Sequence, residues 1–117
     1  MIVFKKENVI KDSGTVIREI IGRKPQLGGS QGMSASTVQM LAGCSGECHL
    51  HRGFEELYCV MAGEGYLTVG EQQVEYRRGD FILIERGEAH CVTARSDSSF
   101  IVVCSPAWSA EDCIPAK

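Results

Sequence analysis

Three side chains that can ligate a metal ion lie within one short stretch of this sequence. One residue separates His49 from His51, and Glu56 follows five positions after His51. Two residues that are two positions apart point in nearly opposite directions on a helix, but they share a face on a strand. Because the surrounding residues are typical of a strand, we expect the two imidazoles to lie side by side.

A turn directly after His51 is predicted to bring an acid to the same face. Residues 52–54 have the sequence Arg-Gly-Phe, and a hairpin there places His51 opposite Glu56. His49 and Tyr58 form the next pair on that face. Two histidines and one carboxylate that leave coordination positions open are a common binding set for a divalent transition metal.

His90 is the only other histidine of the chain, and it opens a later strand-like run behind a glycine-containing turn. An all-β barrel can bring that run against the first two strands, so that three imidazoles and one carboxylate surround one ion. Nitrogen and oxygen ligands without a thiolate suit Mn, Fe, Ni, Co, Cu or Zn. Such a site keeps a net charge of about +1, which favours an anionic or hydroxylated small-molecule ligand.

The segments that must position these residues are short and β-like. Runs rich in Val, Ile, Tyr, Phe and Thr alternate with glycine-containing turns, and long windows with apolar residues at three- and four-residue spacing are missing. This close spacing predicts an antiparallel sandwich or barrel. The predicted strands cover residues 15–21, 35–41, 47–51, 55–61, 66–69, 73–76, 81–84, 90–94 and 100–104.

Two motifs around the candidate ligands resemble the two motifs of the cupin family. The first has the pattern Gly-x5-His-x-His-x4-Glu-x6-Gly over residues 43–63, and the second has the pattern Gly-x5-Glu-Arg-Gly-x2-His over residues 79–90. Glu85 stands where this family usually has proline, and Ala94 stands where it usually has asparagine. Neither departure touches a ligand position, although Glu85 puts a charge near the expected mouth of the site.

The resemblance spans roughly residues 34–106 and implies a small double-stranded β-helix, or jelly roll. It implies that one divalent transition metal is held by four ligands, which are His49, His51, Glu56 and His90. It also implies one domain over residues 1–117, with N-terminal strands in residues 1–33 and a short C-terminal tail in residues 107–117. We expect that tail to pack loosely or fray. Since small cupins commonly pair through a sheet face or a swapped N-terminal strand, we expect a homodimer.

Functions of different classes are compatible with this site. One is a metalloenzyme, either an isomerase, epimerase or lyase for a sugar, a sugar acid or another oxygenated metabolite, or a dioxygenase. The other is a non-catalytic module that binds or senses a small molecule such as a sugar. Two residues are catalytic candidates. Tyr58 shares the inner face with Glu56, although it can equally be a core aromatic, and Glu85 lies on the turn before His90, although it can equally be a solvated loop residue.

Composition argues against several other classes of protein. The net charge of −3 gives no reason to expect nucleic acid or an anionic membrane as a partner. No apolar run reaches the roughly 18 residues of a membrane span, and the first apolar run is too short for a signal peptide. We therefore expect a cytoplasmic protein whose six cysteines are reduced. Strand alternation points Cys48 and Cys91 away from the ligands beside them.

Overall fold

The structure is a computed structural model that describes residues 1, 3–22, 30 and 32–116. These residues form eleven β-strands and one 3-10 helix over Ala110–Asp112. The strands are β1 (Asn8–Asp12), β2 (Thr15–Ile21), β3 (Ser34–Met40), β4 (His49–Leu50), β5 (Glu55–Ala62), β6 (Glu64–Val69), β7 (Gln72–Arg77), β8 (Phe81–Ile84), β9 (His90–Ala94), β10 (Ser98–Ser105) and β11 (Ile114–Pro115). Residues 23–29, within the segment where N-terminal strands are predicted, lie outside the described residues. No helix in the described part of the chain is long and apolar enough to cross a membrane.

The strands form two antiparallel sheets. One has six strands in the order β1-β2-β3-β10-β5-β8, and the other has five in the order β11-β4-β9-β6-β7. Every pairing of strands in the two sheets is antiparallel. Buried side chains from both sheets contact one another in a single core. The predicted all-β jelly-roll fold is therefore confirmed.

All nine predicted strands are present, and each begins and ends within two residues of the predicted positions. β4 is shortened most, because it keeps only two of the five residues predicted for it. Sequence patterns missed β1, because four of its five residues are exposed and the strand lies at a sheet edge. They also missed β11, which has two residues, one of them a proline that strand patterns disfavour.

The predicted hairpin between β4 and β5 is wrong. β4 pairs with β9 through His49 and His90, whereas β5 lies between β10 and β8 in the other sheet. The chain between them therefore turns from one sheet into the other. As a result, His51 and Glu56 meet across the space between the sheets, and Tyr58 has no ladder contact with His49.

Strand alternation buries one face of β5 and of β10. Glu56, Tyr58 and Val60 are buried on β5, and Phe100 and Val102 are buried on β10. Burying an apolar side chain of this size stabilises the fold by about 1.5–3 kcal/mol. Glu56 is the charged member of an otherwise apolar inner row, so it needs a partner inside the protein.

Gly63, the last residue of the first motif, occupies a turn with no space for a side chain. Its φ is +87°, a conformation that residues other than glycine rarely adopt. A Cβ atom at this position would collide with the backbone oxygen of Asp97 and the hydroxyl of Ser98. The glycine therefore allows β5 and β6 to be joined by one residue.

The prediction that the C-terminal tail frays is wrong. The backbone N–H of Trp108 donates a hydrogen bond to the Ser34 hydroxyl at 2.9 Å, and that of Ala116 donates to the Cys48 carbonyl at 3.0 Å. Residues of β11 pair with β4 directly beside His49. The tail thus packs against the strand that carries His49, just before His51.

The expectation that all cysteines are reduced is also wrong. Cys48 and Cys91 form a disulfide, with their Cα atoms 4.5 Å apart. The pairing of His49 with His90 places these two neighbouring residues opposite each other on antiparallel strands, at the spacing of a non-hydrogen-bonded pair. The disulfide therefore joins the start of β4 to β9. The remaining four cysteines are free.

Candidate metal centre

Three strands bring four metal-ligating side chains to one point between the sheets. β4 carries His49, and His51 follows directly after its end, while β5 carries Glu56 and β9 carries His90. Their ligand atoms all lie within 4.8 Å of one another. His49 is half-buried and the other three residues are buried. The four predicted ligands therefore converge.

A backbone carbonyl sets the orientation of each imidazole ring. In each ring, Nδ1 lies 2.9–3.0 Å from a carbonyl oxygen. The three pairs are His49 with Glu47, His51 with Asp112, and His90 with Glu88. A carbonyl oxygen only accepts hydrogen bonds, so Nδ1 carries the proton, and a neutral ring presents the lone pair of Nε2 on its other side.

The atoms at the centre of the cluster are buried acceptors that face one another. Nε2 of His51 and Nε2 of His90 lie 3.0 Å and 2.9 Å from Oε1 of Glu56. None of these three atoms has a hydrogen-bond partner. Each unsatisfied buried polar group costs about 1–3 kcal/mol. A cation held between them would remove this cost, because all three atoms could act as its ligands. The donor set therefore fits a divalent transition metal.

The electrostatics of the cluster keep Glu56 ionised. Burial raises the pKa of Glu56, but the contacts with His51 and His90 outweigh burial and hold the pKa at about 2. Burial lowers the pKa of His51, but its contact with the Glu56 carboxylate prevails, so the pKa lies above its usual 6.5. Burial lowers the pKa of His49 below that value. At neutral pH the site thus presents a carboxylate and a neutral His49 to any cation.

The family model that describes the cupin domain matches residues 36–106, from β3 to the residue after β10. These residues contain all four candidate ligands, and they are more than half of the chain. The chain belongs to the cupin family. The resemblance inferred from the two motifs is thus confirmed, and the jelly-roll fold is the one that this family implies.

Several known proteins are similar to this cupin in sequence or in structure. An uncharacterised protein of Methanocaldococcus jannaschii, MJ1618, is 28% identical over 109 residues, which are 92% of this chain and 85% of that protein. The structure of KdgF from a Halomonas species matches 86% of this chain and 89% of its own, with 17% identity and a TM-score of 0.75. An oxalate decarboxylase variant from Bacillus subtilis matches 96% of this chain but 31% of its own, with 18% identity and a TM-score of 0.83. At these identities, the two structures support the fold.

The C-terminal segment of this cupin holds His51 in place. The carbonyl oxygen of Asp112 accepts the hydrogen bond from Nδ1 of His51, while its carboxylate accepts from the backbone N–H groups of Arg52 and Gly53. The Phe54 ring stacks on the His51 ring, with centroids 4.3 Å apart and planes at 27°. One residue of the tail thus fixes both the ligand and the turn that follows it. Sequence reasoning missed Asp112, because no local signal connects it with a turn some 60 positions earlier.

A thiol holds the second oxygen of Glu56. Sγ of Cys104, on β10, donates to Oε2 of Glu56 at 3.5 Å, and both residues are buried. Burial raises the pKa of the Cys104 thiol, which therefore keeps its proton. This contact turns Oε1 of Glu56 toward the imidazoles. Neither motif includes Cys104, although alternation on β10 places it on the inner face.

A cavity of about 510 Å³ adjoins the candidate ligands. His49, Glu56 and His90 line it, and so does Tyr58, which neighbours Glu56 on the inner face of β5. Burial raises the pKa of Tyr58 well above 10, and the Glu56 charge adds to this effect, so the phenol stays protonated. The predicted place of Tyr58 on the inner face beside the site is therefore observed.

Glu85, the other catalytic candidate, lies elsewhere. Its side chain is exposed, and it is not among the described residues that line the cavity. Its backbone N–H donates to the Glu88 carboxylate at 2.8 Å, which closes the turn before β9. The turn is tied to the site by its backbone, because Gly87 donates to the carbonyl of His51 at 2.6 Å. The charge expected at the mouth of the site thus lies in solvent.

Proposed function

We propose that this cupin binds one divalent transition metal through His49, His51, Glu56 and His90 and acts as a metalloenzyme on a small oxygenated metabolite. The single observation that supports this proposal most strongly is the convergence of buried acceptors without hydrogen-bond partners on the wall of a cavity. The metal is Mn, Fe, Ni, Co, Cu or Zn, since the ligands are nitrogen and oxygen. Bound there, the ion would supply Lewis-acid polarisation of a substrate oxygen for isomerase or lyase chemistry or, if redox-active, dioxygen binding for dioxygenase chemistry.

The protein residues have separable roles in this proposal. The three histidines supply neutral donors, and Glu56 supplies one negative charge, so the loaded site keeps a charge of about +1. That charge attracts an anionic or hydroxylated head group from the cavity side. Tyr58 then offers its O–H as a hydrogen-bond donor to a substrate oxygen, because its raised pKa keeps the phenol neutral. Glu85 has no role in this proposal, since its carboxylate is exposed.

The test is the metal content of protein purified without a nickel column. We expect close to one equivalent of metal in the parent protein and a loss of most of it in His49→Ala and His51→Ala, measured by inductively coupled plasma spectrometry. Glu56→Ala should behave in the same way, whereas Glu55→Ala is the matched control, because alternation on β5 turns Glu55 away from the inner face. If both histidine variants keep a full equivalent, the site is misassigned.

A non-catalytic binding module is the second candidate. It is favoured by the character of the cavity, whose described wall beyond the ligands and Tyr58 is mainly apolar. A compound that raises the melting temperature of the metal-loaded protein without being turned over would support this function. Oxygen consumption by the iron-loaded protein would support a dioxygenase instead.

A further inference from the structure

We propose that the site selects a ligand with an apolar body behind a chelating pair of oxygens, such as a 2-hydroxy carboxylate with an alkyl or aryl chain, over a sugar or sugar acid. This inference rests on the proposed metal function and names the class of substrate for the same site. The inference is based on the side chains that line the cavity and on their charges.

The wall of the cavity is built from the inner faces of several strands. Alternate residues of β2, β3, β9 and β10 point into the same space, as the pleat of a strand requires. Most of these inward side chains are apolar. Examples are Ile17, Val38, Met40, Val92, Phe100 and Val102. Trp108 of the C-terminal segment adds an indole to this wall.

The charges on the wall disfavour an anionic group away from the metal. Among the described residues that line the cavity, the acidic side chains are Glu19, Glu47, Glu56 and Glu111, and none is Arg or Lys. A second carboxylate on a substrate, far from the metal, would thus meet acidic side chains, with no Arg or Lys among the described lining residues to pair with it. A single anionic head at the metal avoids this, because the loaded site is positive.

Polar contacts for a polyhydroxylated body are scarce. Thr15, Ser34, Ser36, Ser109 and Tyr58 bring hydroxyls to the cavity wall. The Ser34 hydroxyl already accepts the hydrogen bond from Trp108 N–H at 2.9 Å. A sugar buried here would leave without partners those hydroxyls that face the apolar side chains, which weakens binding, whereas an alkyl chain leaves none.

The volume suits a ligand with a substantial apolar part. A cavity of about 510 Å³ lies within the range of roughly 300–1,000 Å³ that is typical of small-molecule sites. The end that can bind a metal is small, since it consists of the candidate ligands with Tyr58 beside them. The remaining volume is available for a chain or ring.

A homologous series separates the head group from the body. The zinc-loaded protein is titrated with lactate, 2-hydroxybutanoate, 2-hydroxyhexanoate and 2-hydroxyoctanoate, and with gluconate as a six-carbon acid with a polar chain. Binding is followed by calorimetry and by the fluorescence of Trp108, the single tryptophan of the chain, which lines the cavity. We expect affinity to rise about three- to fourfold per methylene, with gluconate no tighter than lactate. Equal affinities along the series, or gluconate binding tighter than 2-hydroxyhexanoate, would overturn the inference.

Two variants test whether the alkyl chain of the ligand occupies this cavity. Val38→Phe should weaken binding of 2-hydroxyoctanoate at least tenfold and leave lactate within threefold, because the larger ring fills the apolar part of the cavity. Val74→Phe is the matched control, since Val74 lies on β7, is partly exposed and is not among the lining residues. If the two variants bind the long chain equally well, the chain does not occupy this cavity.

The same series is run on the parent protein and on metal-free His49→Ala protein to distinguish the two proposals. A parent protein that binds zinc but shows no dependence on chain length contradicts the apolar body and leaves the metal function intact. A parent protein that binds no zinc but still shows the dependence, by Trp108 fluorescence, contradicts the metal function and supports the apolar cavity. Absence of chain-length dependence in both proteins overturns the inference.

Discussion

Sγ of Cys104 lies 3.5 Å from Oε2 of Glu56, so one oxygen of this carboxylate is held by a thiol while the other faces two imidazoles. Glu56 has two rotatable bonds before the carboxyl group, and burial alone does not choose which oxygen faces the ion. We infer that Cys104 is a positioning residue, because it holds a ligand without reaching the cluster itself. Loss of a group that hydrogen-bonds a metal ligand commonly weakens metal affinity by about ten- to a hundredfold.

Substitution of Cys104 should therefore weaken metal binding only when the new side chain cannot donate a hydrogen bond to Glu56. We expect Cys104→Ala to weaken zinc affinity by about ten- to a hundredfold, and Cys104→Ser, which keeps a donor, to stay within about threefold. Competition with a chelator of known affinity measures both values. Cys59→Ala is the control, since alternation on β5 places Cys59 on the other face of the strand from Glu56. Equal affinities for the alanine and serine variants would show that packing alone matters here.

Single residues also show what sequence reasoning can find. The two-residue period of a strand placed His49 and His51 on one face, and the motif spacing added Glu56 and His90, because these relations are local or belong to a known pattern. Sequence reasoning did not identify Asp112, although it accepts hydrogen bonds from His51 and from the turn after His51. These hydrogen bonds join residues that are distant in the chain, and local secondary-structure propensities carry no information about such contacts.

β4 and β11 are the shortest strands, with two residues each, and β4 carries one candidate ligand, with His51 just beyond its end. It pairs with β9 at one position and with β11 at two, and the Cys48–Cys91 disulfide adds a covalent link at its start. A strand of two residues makes few ladder hydrogen bonds. The disulfide therefore keeps His49 next to His90.

Removal of this disulfide should lower stability and weaken metal binding together. The bond spans a separation of 43 residues, and loops of this length predict a stabilisation of about 2–4 kcal/mol. We expect the double variant Cys48→Ala, Cys91→Ala to lose free energy of unfolding in that range, measured by chemical denaturation, and to bind zinc more weakly. Reductant should reproduce the effect in the parent protein and have no effect on the variant. A parent protein indifferent to reductant would contradict this role.

The sequence patterns predicted which residues form strands, but they did not predict the sheet to which each strand belongs. Periodicity identified β4 and β5 as strands, and a turn of three residues is compatible with a hairpin. In the structure the same turn passes between the two sheets, because β10 and β8 occupy both edges of β5. Which partner a strand chooses depends on pairing across the whole fold, which a local pattern does not contain.

For the molecule as a whole, the outer face of the six-stranded sheet is unusually apolar. Across β10, β5 and β8, the residues that point away from the core form an apolar surface, defined here as the outer apolar face. Its members are Leu57, Cys59, Met61, Phe81, Leu83, Ile101 and Val103. Phe81 is 71% exposed and Leu83 is 51% exposed. Surfaces of this kind often mark protein–protein contacts.

We therefore keep the homodimer as a prediction and place its contact on the outer apolar face. Sedimentation at micromolar concentration should give a mass near twice 12.8 kDa. Phe81→Glu should shift the protein to the monomer, because a charge would be buried in the contact, whereas Val74→Glu on β7 should not. A parent protein that sediments as a monomer would contradict the prediction.

The sequence by itself determined the strand-rich architecture, the family and the identity of the four candidate ligands, because these depend on short-range periodicity and on fixed motif spacing. Tertiary structure alone decided that His51 and Glu56 meet from opposite sheets, that Cys48 bonds Cys91, and that the C-terminal segment orients His51. It also decided that the wall beside the ligands is mainly apolar. These features arise from contacts between residues far apart in the chain, and their free energy depends on packing that only the folded protein creates.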